Sequence, residues 1–204
     1  MLNRFKIILI FLLGFFCNQI FALSENDANS FVVDIGNQAI KILKIPVDDK
    51  QKRKNELQTL LKEKFDMQLI SKVIIGKEIT SKSSDSQLKK FAEVFELHIV
   101  NVYSSQLGTY KGQTFSVNKK ELRKKDAFVY TTIESPDYPT TNIVWRVRKR
   151  GDTPKVIDMQ VEGVSLLRTK RMDFANTLNS YGLDALISKL EDMNKMPDLK
   201  IPGE

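Results

Sequence analysis

Apolar positions along this chain change period twice. From Asn29 the residues Phe31, Ile35, Ala39 and Ile42 recur at helical spacing. Pro46 closes the segment, because the residue before a proline is pushed out of the helical region. Ser24–Asn29, ahead of it, is polar and reads as frayed. Asp48 or Asp49 offers an N-cap to a second helix with Leu57, Leu60, Leu61 and Phe65 on one face. Asp66 offers another to a short helix, Met67–Ile75, which Gly76 ends. Thr80–Ser86 (TSKSSDS) has loop chemistry. Leu88, Phe91, Phe95, Ile99 and Val102 then mark the longest helix, Asp85–Leu107. Ala92, Val94, Val100 and Tyr103 widen its apolar face, so it meets more than one neighbour.

After Gly108 and Gly112 the period becomes two. Phe115/Val117, Val129/Thr131/Ile133, Thr141/Ile143/Trp145/Val147 and Ile157/Met159/Val161 alternate with residues of another face. Turn chemistry at Glu121–Asp126, Ser135–Thr140 and Gly151–Pro154 keeps the connections short, which favours antiparallel neighbours. Two helices, Thr169–Tyr181 and Leu183–Met193, follow on either side of Gly182, and the tail after Met193 reads as loose. Helices, then about four strands, then helices predicts an α+β fold: a twisted antiparallel sheet with one face covered by helices. No internal repeat or second domain shows.

The first residues change the picture. Arg4 and Lys6 precede an apolar run, Ile7–Phe16, about half of the ~20 residues a membrane span needs. A mixed stretch ends at Ala22. That order predicts a cleaved signal peptide over 1–22 and one domain over 23–204. Cys17 is the only cysteine. It follows Phe16, which does not suit lipid attachment, and it leaves with the signal. The mature chain then has no thiol, which excludes cysteine catalysis and Cys-based zinc sites. Its net charge is about +5, two below the +7 of the full chain.

Little in the rest points to chemistry. His98, the only histidine, reads as a half-buried or surface residue of the long helix, without a partnered nucleophile. Asp158 and Glu162 stand about 13 Å apart in an extended strand, too far for paired-carboxylate work, and read as partners of nearby cations. Basic clusters at Lys50–Lys54, Lys119–Lys125, Arg146–Arg150 and Arg168–Arg171 read singly as solvated surface. Together they could steer the chain to anionic membranes or acidic partners. Export and sparse aromatic interleaving argue against nucleic acid. Phe91, Phe95, Val102, Tyr103, Ile133, Ile143 and Trp145 read as core, and a cavity lined by them would read the same way.

Several pieces together resemble a known family. Tyr110–Val117 looks like its helix-to-strand junction. Asp158 followed by Glu162-Gly163-Val164-Ser165 looks like its D-x-x-x-E-G-V-S strand. Arg171-x-x-Phe174 and Gly182–Leu190 look like its closing helices. The chain resembles the MlaC-type (toluene-tolerance) periplasmic phospholipid-binding proteins from about Phe31 to Met193. The resemblance implies an NTF2-like fold extended by helices, and no enzyme activity, metal or cofactor beyond bound phospholipid. It implies a monomeric shuttle between an outer-membrane lipoprotein–porin complex and an inner-membrane ABC transporter bearing an MCE domain. Tyr103 and Val164 match family positions near the lipid pocket. Phe91, Phe95, Val102, Ile133, Ile143 and Trp145 are expected along it from their alternation. Two other readings stay open at this point: an exported adaptor with a filled core, and an enzyme on the same fold.

Overall fold

The structure, a computed structural model, describes residues 23–196. The expected signal peptide and the last eight residues lie outside them. Six helices and five strands follow in order: α1 (Glu25–Leu43), α2 (Lys50–Lys64), α3 (Met67–Ile75), α4 (Lys77–Lys82) and α5 (Asp85–Gln106), then β1 (Thr114–Arg123), β2 (Asp126–Ser135), β3 (Tyr138–Arg150), β4 (Thr153–Val161) and β5 (Val164–Ser165), then α6 (Leu166–Lys195).

The strands form one antiparallel meander in the order β1-β2-β3-β4-β5. Alternation sorts its faces. Val129, Ile143, Trp145 and Val147 are buried beneath the helices, while Phe128, Tyr130 and Arg146 remain only half-buried on the other face. Asp126 is buried between Arg146 and Arg148 and accepts from both guanidinium groups. The RVRKR cluster is thus bound partly into ion pairs across β2 and β3, not simply solvated.

Besides strand ends that reach into the expected turns, four local readings differ from the sequence expectation. Ser24–Asn29 is helical, because Ser24 and Asp27 form a reciprocal capping box and Ala28 is buried. Thr80–Lys82 belongs to α4, whose polar side chains bond back to its own turns: Thr80 to the Gly76 carbonyl and Ser81 to that of Glu78. The closing helix starts earlier than Thr169, at Leu166, and runs past Met193 to Lys195; it breaks at Gly182 as expected. A fifth strand joins the sheet, since Glu162 and Gly163 both take positive φ (49° and 78°) and turn Val164 back onto Val161.

The core is divided. One apolar cluster joins α3, α5 and α6 through Ile74, Phe91, Phe95, Phe174 and Leu186. The other joins α1 and α2 to the sheet through Val32, Ile35, Leu60, Val129, Trp145 and Val156. Phe65, at the end of α2, packs against both.

Candidate functional site

Between the two clusters lies a cavity of about 270 Å³. A water needs only ~10–15 Å³ of such space, so this is not a packing defect. Its walls come from nearly every layer. Ile35 and Ala39 of α1, Leu57, Leu60 and Leu61 of α2, and Phe65 form one side. Met67, Ile70 and Ile74 of α3 and Phe95, Ile99 and Tyr103 of α5 form another, continued by Leu107. Trp145, Ile157, Asp158 and Met159 supply the sheet side, and Leu166, Leu167 and Lys170 the start of α6.

Burial grades along this lining. Ile35, Leu60, Ile70, Ile74, Phe95, Trp145 and Ile157 are buried and form the floor. Ile99, Tyr103, Leu107, Met159, Leu166, Leu167 and Lys170 are half-buried and, with Ala39, Leu57, Phe65 and Asp158, make up its more exposed part, the rim.

The floor is apolar and backed by packed rings. Phe95 stacks on Phe91, with centroids 5.8 Å apart, and meets Phe174 edge-on at 5.9 Å. The Trp145 indole N–H donates to the buried Thr131 hydroxyl at 2.9 Å, and that hydroxyl donates to the Ile143 carbonyl at 3.2 Å. The one polar atom of Trp145 is therefore satisfied inside the sheet, leaving ring surface for the cavity.

The layers are braced from outside the cavity. Arg53, only 2 % exposed, donates to the Leu107 and Gly108 carbonyls and pins α2 to the end of α5. Lys64 pairs with Asp34 at 2.7 Å, and the Asp66 N–H donates to the Val156 carbonyl at 3.0 Å. The Lys50–Lys54 cluster therefore contains a buried structural clasp that composition did not reveal.

Asp158 and Glu162 are corner-makers, not the cation partners expected of them. The Asp158 carboxylate accepts from the Ser165 hydroxyl at 2.8 Å and from the N–H groups of Met159 and Leu167, which anchors the start of α6. Glu162 lies beyond the strand, in the β4–β5 turn. Its N–H donates to the Asn142 carbonyl at 2.9 Å and its carboxylate accepts from the Asn142 N–H. The D-x-x-x-E-G-V-S run thus fixes where sheet ends and closing helix begins.

His98 is buried, not half-exposed. Burial first, and the charge of Lys170 next, push it down to about 4, so it is neutral at physiological pH. Among the described residues its Nδ1 has no hydrogen-bond partner. It faces no nucleophile–base array, and no group of three His, Cys, Asp or Glu side chains is placed for a metal among the described residues.

Of the residues singled out from sequence, the structure brings Phe95, Tyr103 and Trp145 together in the lining. Phe91 lies behind Phe95, and Ile143 is buried in the sheet beside Trp145. Val102 is buried on α5 and Ile133 packs half-buried on the sheet-side cluster. Val164 is 58 % exposed on β5, two residues before the rim residue Leu166. Sequence reasoning missed the α2 and α3 walls, although their apolar spacing was visible, because nothing in a helical stripe says whether it faces a neighbour or a void.

Comparison with known proteins gives the arrangement a family. The chain belongs to the MlaC family: the family model described as MlaC protein matches residues 34–192. This is a family of periplasmic lipid-binding transport proteins, not enzymes. Among solved structures the chain is similar to the phospholipid-binding protein from Ralstonia solanacearum, solved in complex with a phospholipid. The TM-score is 0.71 at 18% sequence identity, covering 82% of this chain and 96% of that one.

Proposed function

We propose that this MlaC-family chain is a periplasmic phospholipid shuttle that holds acyl chains in the cavity between its two cores. One observation carries the reading: an apolar void between two hydrophobic clusters, with the indole N–H of Trp145 hydrogen-bonded into the sheet. A methylene leaving water for such a space gains ~0.8 kcal/mol, so a carrier needs a dry slot and no reacting group. Phe95 and Trp145 contact the chains at the floor, Phe91 and Ile143 support them, and Tyr103 flanks the mouth. Val102 and Ile133 stiffen the helix and strand that carry these walls, and Val164 stands at the outer rim. The resemblance of the chain supplies the route: lipid passes between an outer-membrane lipoprotein–porin complex and an inner-membrane MCE-domain ABC transporter, with the chain travelling as a monomer after its signal peptide is removed.

The test is lipid capture from fluorescent phospholipid vesicles. Tyr103→Glu places a charge beside the acyl path and is expected to lower capture at least tenfold with an unchanged circular dichroism spectrum, a charge in apolar surroundings costing more than 1.4 kcal/mol. Val164→Glu is expected to lower it less, from the rim. Full capture by a folded Tyr103→Glu variant would sink the cavity as the lipid site.

A further inference from the structure

Among the described residues that line the cavity there is one cation, Lys170, at the half-buried rim. The other charged residue among them, Asp158, has its carboxylate taken up by Ser165, Met159 and Leu167. Lys170 is held differently. Its side chain is only 19% exposed and pairs with Asp173, one turn further along the same helix, at 2.9 Å; the Asp173 side chain is 44% exposed. A pair three residues apart on one helix, whose acid is exposed to water, contributes little, so another anion can take its place. Arg168 and Arg171, on the same turns, point elsewhere: both are exposed, and Arg171 lies against Gly76 at the end of α3. The buried His98 beside Lys170 is neutral and does not compete for an anion.

Resting on the carrier reading, we propose that Lys170 recognises the phosphate of the bound lipid, exchanging Asp173 for the phosphodiester when acyl chains fill the cavity. The position fits the chemistry. Leu166 and Leu167 precede Lys170 on the rim, so its ammonium lies where an amphiphile with buried chains passes from apolar to wet surroundings. A compact ammonium with three donors suits a phosphate whose headgroup varies beyond it, since it binds the charge and not the substituent. The site therefore separates phosphate-bearing diacyl lipids from neutral ones, and tolerates different headgroups.

The experiment compares retention of a diacyl phosphatidylglycerol and of the diacylglycerol with the same two chains, each offered to delipidated protein from mixed detergent micelles. The wild type is expected to prefer the phosphate-bearing lipid by about tenfold, the scale of one charge-assisted hydrogen bond in a partly exposed site. Lys170→Met is expected to abolish the preference while still retaining diacylglycerol, which doubles as the folding control, and Lys170→Arg to keep most of it. Inorganic phosphate added alone is expected to leave lipid retention unchanged. Equal retention of both lipids by wild type and Lys170→Met overturns the role of Lys170 and leaves the carrier reading intact. Displacement of lipid by inorganic phosphate overturns it in favour of a free-phosphate site. Retention of neither lipid by the wild type overturns the carrier reading itself.

Discussion

Single residues here do structural work that their chemistry disguises. His98 looks like a candidate base and behaves as a buried neutral ring. Its folded value is about 4 against an ordinary 6.5. The unfolded chain therefore takes up the proton first, so the stability tied to a neutral His98 is complete above pH 6.5 and is lost as pH falls toward 4. The loss is on the order of 3 kcal/mol. Urea unfolding at a series of pH values should show His98→Leu gaining on the wild type by up to that amount between pH 6.5 and 4; parallel profiles would contradict the burial. Asp126 shows the opposite balance. Burial raises its carboxyl, but hydrogen bonds from Arg148 and Arg146 outweigh that and hold it below the usual range. Asp126→Asn should cost about 2–3 kcal/mol at neutral pH by denaturant titration, since it leaves two guanidinium groups facing a neutral amide, one of them partly solvated.

At the scale of elements, the helices and strands with strong periodicity were legible, and the short polar ones were not. α5 stands within a residue of its expected bounds, and the four long strands contain the alternating runs but reach into the expected turns: β1 extends to Arg123, β2 starts at Asp126 and β3 starts at Tyr138. α4 was hidden because Thr80, Ser81 and Ser83 satisfy hydroxyls on their own helix carbonyls, which in sequence reads as loop chemistry. β5 is two residues long and has no period to detect. The break in α6 was legible because glycine is the residue that tolerates it. Gly182 has φ 80° and ψ −176°, with nothing near a would-be Cβ. Gly182→Ala therefore tests backbone strain alone. It should lower stability by about 1–3 kcal/mol in thermal or denaturant unfolding without touching the cavity. A neutral effect would mean the two halves of α6 realign as one helix.

For the whole molecule, the decisive property is that the two clusters, joined at Phe65, leave a void between them, and this was not legible. Phe91 and Phe95 belong to one stripe with the same chemistry, yet only Phe95 lines the cavity. The void depends on braces far apart in sequence, Arg53 against Leu107 and Gly108 and Asp66 against Val156, which no local pattern encodes. If the void exists to be filled by ligand, then filling it with side chain should spare the fold and remove the function. Ala39→Phe, on the α1 wall, is expected to leave the melting temperature of the lipid-free chain unchanged or higher by calorimetry, because it occupies space that is otherwise empty. Vesicle capture by the same variant is expected to fall. The most direct measurement remains the content of the cavity itself, read by native mass spectrometry of the protein purified from periplasm without detergent, followed by organic extraction and lipid identification. The account predicts one phospholipid per chain, reduced to a trace in Tyr103→Glu; a wild-type chain that emerges lipid-free and takes up no phospholipid from vesicles would contradict it.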